Sequence, residues 1–265
     1  RKLYASSNPF HMQLVLILAA SANDHILFND MYSKVSPSLD AGYDRPCYYL
    51  AAGGNAEMLG KELDDTPADK MADSLQQAIS GCLMYGQGTV LEMLIQKYLP
   101  RYPLSSLDVA SIFEFMYQDS VIQWVDMVRV KAKYEDQFSL VWRNFLSKLD
   151  IEPMAGNQGT LKVILMKIGL KYACKDIFHY LLDNCRVGLD PFLVENMPMI
   201  GFFIRDNCPL ESLKIIVGYE KKKLGMGDSG PSPWLDSHFL AYPGDFVTLF
   251  THRCFDYLVF VYENI

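Results

Sequence analysis

Two cysteine–histidine pairs, Cys174 with His179 and His252 with Cys254, are where this sequence could support nucleophilic chemistry. A thiol becomes a strong nucleophile when a neighbouring imidazole takes its proton and a third group orients that imidazole. Cys174 and His179 are five residues apart, so they do not share a helix face. His252 and Cys254 flank Arg253 in a turn. Neither pair comes with an orienting residue or an oxyanion-binding motif. The five histidines are dispersed, and no two stand four apart around an acid, the spacing that presents two imidazoles to zinc. Gly86-Gln87-Gly88 and Gly225–Gly230 follow no strand, and the second lacks the Lys-Ser/Thr of a phosphate loop. Glu57 and Glu92 read as first-turn acids that favour helix N-termini. The expectation is no catalytic residue, no metal and no cofactor. The alternative is a hydrolase or transferase with a Cys/His site in a helical scaffold.

These residues sit in a chain of 265 residues, half of them hydrophobic, with a net charge of −7. That composition supplies a large core and excludes disorder. The acidic balance argues against nucleic acid as a partner. The longest apolar run, Leu14 to Ala20, is too short to span a membrane. The six cysteines form no CxxC pair, so buried free thiols are expected. The chain begins at Arg1, which fits a trimmed chain or a processed product, cytoplasmic or secreted and delivered into a host cell.

Apolar spacing predicts helix, tight turn, helix again and again. Cys47–Ala52, Gly53-Gly54-Asn55 and Glu57–Leu63 form one such unit; Met71–Tyr85, Gly86–Gly88 and Leu91–Leu99 form another. A third is Leu161–Leu170, the turn Tyr172–Lys175, and a helix with Ile177, Phe178, Leu181 and Leu182 on one face. Helices are also expected over Phe192–Ile204 and Leu210–Val217, and near 246–251 and 257–262. Residues 105–130 make a less regular pair, and Tyr134–Leu149 an extra amphipathic helix. The acids Glu57, Glu92, Asp176, Glu211 and Asp256, with His25 ahead of them, open successive second helices at intervals of 32, 35, 84, 35 and 45. Intervals of 32–35 mark one unit; the longer ones absorb the extra helix and a Gly/Ser/Pro-rich loop.

Arg45-Pro46-Cys47-Tyr48-Tyr49-Leu50-Ala51-Ala52-Gly53-Gly54-Asn55-Ala56-Glu57 resembles the ankyrin repeat, which runs Thr-Pro-Leu-His, Ala-Ala, a Gly turn, then Glu-Ile-Val. Pro46, Ala51, Gly54, Asn55 and Glu57 fit; Arg45, Cys47, Tyr48 and Leu50 depart from the pattern. The resemblance implies an all-α, elongated solenoid of stacked helix pairs, about seven units with one inserted helix. It would form a single ankyrin-like domain over 1–265, with an irregular insertion at 131–158 and a flexible loop at 218–235. It further implies a non-catalytic scaffold, an adaptor or effector, that binds a partner protein through its concave face and inter-repeat loops. The chain would be monomeric or partner-bound. Aromatics dominate interface hot spots, so Tyr43, Arg45, Tyr48, Phe115, Tyr117, Trp234 and Phe239 are the expected contacts. The apolar final helix and the irregular segments are the other places where specificity could lie.

Overall fold

The structure is a computed structural model that describes residues 9–35, 46–118, 139–149, 158–184, 193–194, 197–198, 208–227, 230–244, 247, 249 and 254–265. It groups into two compact units, Arg1–Gln158 and Gly159–Ile265. The first contains α1 (Pro9–Ser21), α2 (His25–Val35), α3 (Pro46–Ala52), α4 (Ala56–Asp65), α5 (Met71–Tyr85), α6 (Gly88–Met93), α7 (Val109–Gln118) and α8 (139–146). The second contains α9 (Gln158–Tyr172), α10 (Lys175–His179), α11 (Leu210–Lys223), α12 (Pro233–Ala241) and α13 (Phe255–Asn264). α6 and α10 each run on into one π-helical turn, Leu94–Tyr98 and Tyr180–Asn184. Among the described residues the fold is all-α apart from an antiparallel pairing of two residues with two, β1 (Leu193–Val194) with β2 (Met197–Pro198). No helix among the described residues is long and apolar enough to cross a membrane.

One turn geometry recurs in both units. The backbone N–H groups of Asp24, Asn55, Gln87, Cys174 and Cys254 donate to the carbonyls of Ala19, Leu50, Cys82, Gly169 and Leu249, at 2.9 to 3.1 Å. Each bond runs five residues back and closes the first helix of a pair, satisfying a carbonyl that the helix leaves open. The same five residues then accept from the N–H of Phe28, Leu59, Leu91, Phe178 and Leu258, which opens the second helix. Such a closure needs a left-handed residue before it. Asn23, Gly54, Gly86 and Ala173 supply it, with φ of 55°, 76°, 65° and 47°. Asn and Gly take that conformation readily; Ala173 pays a steric cost for its Cβ.

These turns correct the register drawn from the acids. Glu57, Asp176 and Asp256 do stand two residues after the N-cap, as does Glu211 after Pro209. His25 stands one after and Glu92 five after, and the equivalent places hold Ile26 and Thr89. The first pairs therefore repeat every 31 and 32 residues, from Asp24 to Asn55 to Gln87.

Small residues let the pairs of the first unit approach. A Cβ on Gly53 would lie 2.6 Å from the Ala20 Cβ and 2.7 Å from the Ile17 carbonyl. One on Gly81 would lie 2.5 Å from the Tyr48 carbonyl and 3.0 Å from the Ala52 nitrogen. Turn amides bridge the same gaps: Asn55 Nδ2 donates to the Ala20 carbonyl at 2.8 Å, and Gln87 Nε2 to the Ala52 carbonyl at 2.9 Å. Ser80 Oγ donates to the Ile112 carbonyl of α7, and in the second unit Ser212 Oγ donates to the Leu170 carbonyl. α3 is buried from Cys47 to Ala52 as a result. α8 carries the described part of the expected extra helix, and Trp142 and Phe145 pack on Phe113 of α7. The second half of the 105–130 pair lies outside the described residues.

Two expectations fail in the second unit. Where the helix expected over Phe192–Ile204 falls on described residues, Leu193–Val194 and Met197–Pro198 pair as strands, and Pro198 has no N–H to give a helix interior; the rest of that span lies outside the described residues. The loop expected over 218–235 is shorter, since α11 runs to Lys223 and α12 starts at Pro233 under a Ser232 N-cap. The last turn of α11, Lys221–Lys223, is only partly solvated. Lys221 is buried and donates to Asn264 Oδ1 at 2.7 Å, and buried Ser232 Oγ donates to Glu220 at 2.7 Å.

The close approach at Gly81 is directly testable. Gly81→Ala is expected to destabilise the chain by about 1–3 kcal/mol in denaturant unfolding, because backbone rather than a flexible side chain blocks the new methyl. Gly60→Ala, where the same probe meets nothing within 4 Å, is expected to stabilise by about 0.5–1 kcal/mol. Equal effects of the two changes would sink the close-packing account.

Candidate interaction surface

Within each unit, second helices are clasped near their C-terminal ends by one kind of contact. Tyr98 Oη donates to Asp64 Oδ1 at 2.9 Å and lies 3.1 Å from the Gly60 carbonyl. Lys97 Nζ donates to both oxygens of Asp64, at 2.8 and 2.7 Å. In the second unit Tyr219 Oη donates to Asp183 Oδ1 at 2.6 Å, and its ring lies 5.9 Å from that of His179. Asp64 and Asp183 both stand nine residues after the N-cap of their helix. The hydrogen bonds from Lys97 and Tyr98 hold the Asp64 carboxyl below its ordinary range. Tyr98 is pushed up, mainly by burial. The bond to Asp183, then burial, pushes Tyr219 up to about 12.

α13 departs from the other second helices on its outer side. One and five residues after the N-cap, α2, α4, α6 and α10 carry His25 and Asn29, Ala56 and Gly60, Gly88 and Glu92, or Lys175 and His179, and α11 carries Leu210, which is half-buried, and Lys214. α13 carries Phe255 and Val259, which are 56% and 55% exposed. Eight residues after the N-cap, Leu63 and Leu182 are buried and Tyr32 and Ile95 half-buried, whereas Tyr262 is 83% exposed. These three side chains share one helical stripe. Asp256 and Glu263 lie beside it, both exposed. The opposite side of α13 is held to its own unit by Val261, which is fully buried, and by Tyr257, whose Oη donates to the Cys208 carbonyl at 2.5 Å.

Of the residues expected to make contacts, Tyr48 and Phe239 have described side chains. Tyr48 is core, packed edge-on against Tyr49 and Tyr85, because α3 is enclosed by its neighbours. Tyr43 and Arg45 lie outside the described residues. Phe115 and Tyr117 fall on α7 and Trp234 on α12, with their side chains undescribed. Phe239, also on α12, is half-buried and edge-on to His238 at 5.3 Å. The structure brings none of the described ones together into a patch. The apolar character of the last helix was legible in the sequence; the turn register shows which of its residues face outward.

The cysteines show no pairing among the described residues, and Cys47, Cys82, Cys174 and Cys208 are buried. Burial pushes Cys47 up to about 12 and also raises Cys82, so neither is a thiolate at neutral pH. Cys174 is the N-cap of α10. His252 is outside the described residues. Among the described residues no three His, Cys, Asp or Glu side chains gather as a metal site would require. Comparison with protein-family models, curated proteins and solved structures finds no match.

The Tyr219–Asp183 clasp predicts a pH signature. Tyr219 loses its proton above its ordinary value of 10.0, so the bond contributes its full stability below that pH and loses it as pH rises towards about 12. The tyrosinate absorbance assigned to Tyr219, from wild type minus Tyr219→Phe, should therefore titrate late. Asp183→Asn should bring it back towards 10.0. A Tyr219 that titrates normally in the wild type would contradict the clasp.

Proposed function

We propose that this chain is a non-catalytic protein-interaction module built on an ankyrin-like stack of helix pairs. The repeated turn, the glycine close approaches and the clasp between second helices support the stacking. An array of this kind offers an extended surface of helices and loops on which partners bind. The observation that carries the binding reading is α13. It sets Phe255, Val259 and Tyr262 in water together: at the first two places α2, α4, α6 and α10 carry small or polar residues, and at the third Leu63 and Leu182 are buried while Tyr32 and Ile95 are half-buried. Folding does not require three large side chains on that face, and contiguous exposed apolar stripes mark protein contact sites. The partner surface therefore centres on α13, with the inter-pair loops beside it. The concave-face role of α3 is set aside, because its side chains are enclosed.

Affinity capture from cell extract tests this reading. The wild type should retain a protein that Phe255→Ser/Tyr262→Glu loses by at least about tenfold, with circular dichroism unchanged. Hot-spot aromatics are worth about 2 kcal/mol or more each, which makes that loss readable. Equal retention by the two chains would remove α13 as the contact surface.

A further inference from the structure

The joint between pairs has two halves, and one chain carries an open copy of each. On the acceptor side, α13 repeats what α4 and α10 present to their following helices. Glu263 stands nine residues after its N-cap, where Asp64 and Asp183 receive the clasp. Tyr262 stands where Leu63 and Leu182 are buried. On the donor side, Lys34 stands ten residues after Asp24, as Lys97 stands ten after Gln87, and Lys97 is the cation that grips Asp64. Lys34 is exposed, with Asp30 of its own helix as partner. Leu18 stands six residues before its N-cap. The equivalent Tyr49 and Gly81 are buried, and Gly81 lies directly against the preceding α3. Leu18, 57% exposed, thus occupies the position that later pairs turn towards a preceding pair.

We propose that a second copy of this chain covers α13 by stacking its α1–α2 pair there, with Lys34 of one copy on Glu263 of the other. The proposal rests on the reading of α13 as a protein-contact face and names what occupies it. Charge and shape select this occupant. Two α13 helices face to face would bring Glu263 and Asp256 against their own copies, whereas the α2 end supplies a cation at the register that the Lys97–Asp64 joint uses. Lys34 can keep Asp30 while it turns towards Glu263, as Lys97 stays over the Tyr98 ring while it holds Asp64. The contact is heterologous, head to tail, so each copy retains one open half after pairing.

Analytical ultracentrifugation of the full chain, from about 1 μM to about 1 mM, reads the association. The wild type should gain mass steadily with concentration. Glu263→Lys and Lys34→Glu should each weaken association by up to about fivefold, the range of an exposed ion pair, and the double exchange should recover most of it. Leu18→Glu blocks the head and Tyr262→Glu blocks the tail. Each alone should remain monomeric, and their mixture should form a heterodimer that grows no further. A wild type that stays monomeric throughout overturns the proposal. So does association of the wild type with no heterodimer in the mixture, which would indicate another geometry. If the wild type stays monomeric yet Phe255→Ser/Tyr262→Glu still loses a captured protein, self-stacking alone fails and the interaction reading stands.

Discussion

The constraint on which the structure depends is the backbone account at the end of each first helix. A helix leaves its last carbonyls without partners, and here the next helix starts only two or three residues later. One bond, from the N-cap of the second helix back five residues, closes the first helix, while the carbonyl of that N-cap residue opens the second. The two helices are thereby fixed as one hairpin whose angle scarcely depends on side chains. That explains why Asn55, Gln87, Cys174 and Cys254 can occupy the same place although their chemistry differs. The residue before them is more restricted, because only a left-handed backbone completes the loop. Ala173, with φ at 47°, shows the geometry imposed even where the side chain resists it.

With the hairpin fixed, stacking becomes a question of how closely hairpins can approach. Gly53 and Gly81 remove the Cβ atoms that would strike neighbouring backbone, and Asn55 and Gln87 send amides across the gap to carbonyls of the previous pair. Apolar burial does the rest: Leu59, Leu63, Leu75, Ile79 and Leu91 are almost wholly removed from water. At the outer ends of the second helices the joint turns polar. A phenol or an ammonium on one helix meets an aspartate on its neighbour, and such exposed contacts contribute little energy but fix register. The same logic makes α13 informative. It carries the acid of the joint and large apolar residues around it, exposed with no helix among the described residues packed over them.

Much of this was legible in the sequence, and the reasons for the rest are physical. Helix–turn–helix units were readable because Gly54, Gly86 and the apolar spacing of α4, α5 and α10 each point the same way. The exact register was not, because acids in a first turn tolerate several positions along the dipole, so Glu92 could pass for the partner of Glu57. Apolar spacing suggests helix around Pro198, but a residue without an N–H leaves Leu193–Val194 and Met197–Pro198 paired as strands. Nothing local to Lys221–Lys223 signals that Asn264, over forty residues on, draws in the first of the three lysines.

Tyr48 shows why a contact surface is harder to read than a fold. An aromatic in a first helix has the same local sequence whether it faces a partner or a neighbouring helix, and burial of α3 on every side decides the matter. Tyr262 shows the converse. Its place in α13 matches that of buried Leu63 and Leu182 and of half-buried Tyr32 and Ile95, so the pattern alone gives it at least partial cover. What exposes it is the absence, among the described residues, of a following pair in contact. Exposure at a core register differs from exposure at a random surface position, because the rest of the repeat already specifies what would fit there. On the proposed stacking, the covering element is a helix that approaches along the pair axis and brings a donor to the acid nine residues past the N-cap. A joint so specified limits its partners by geometry before any side chain of the partner is known.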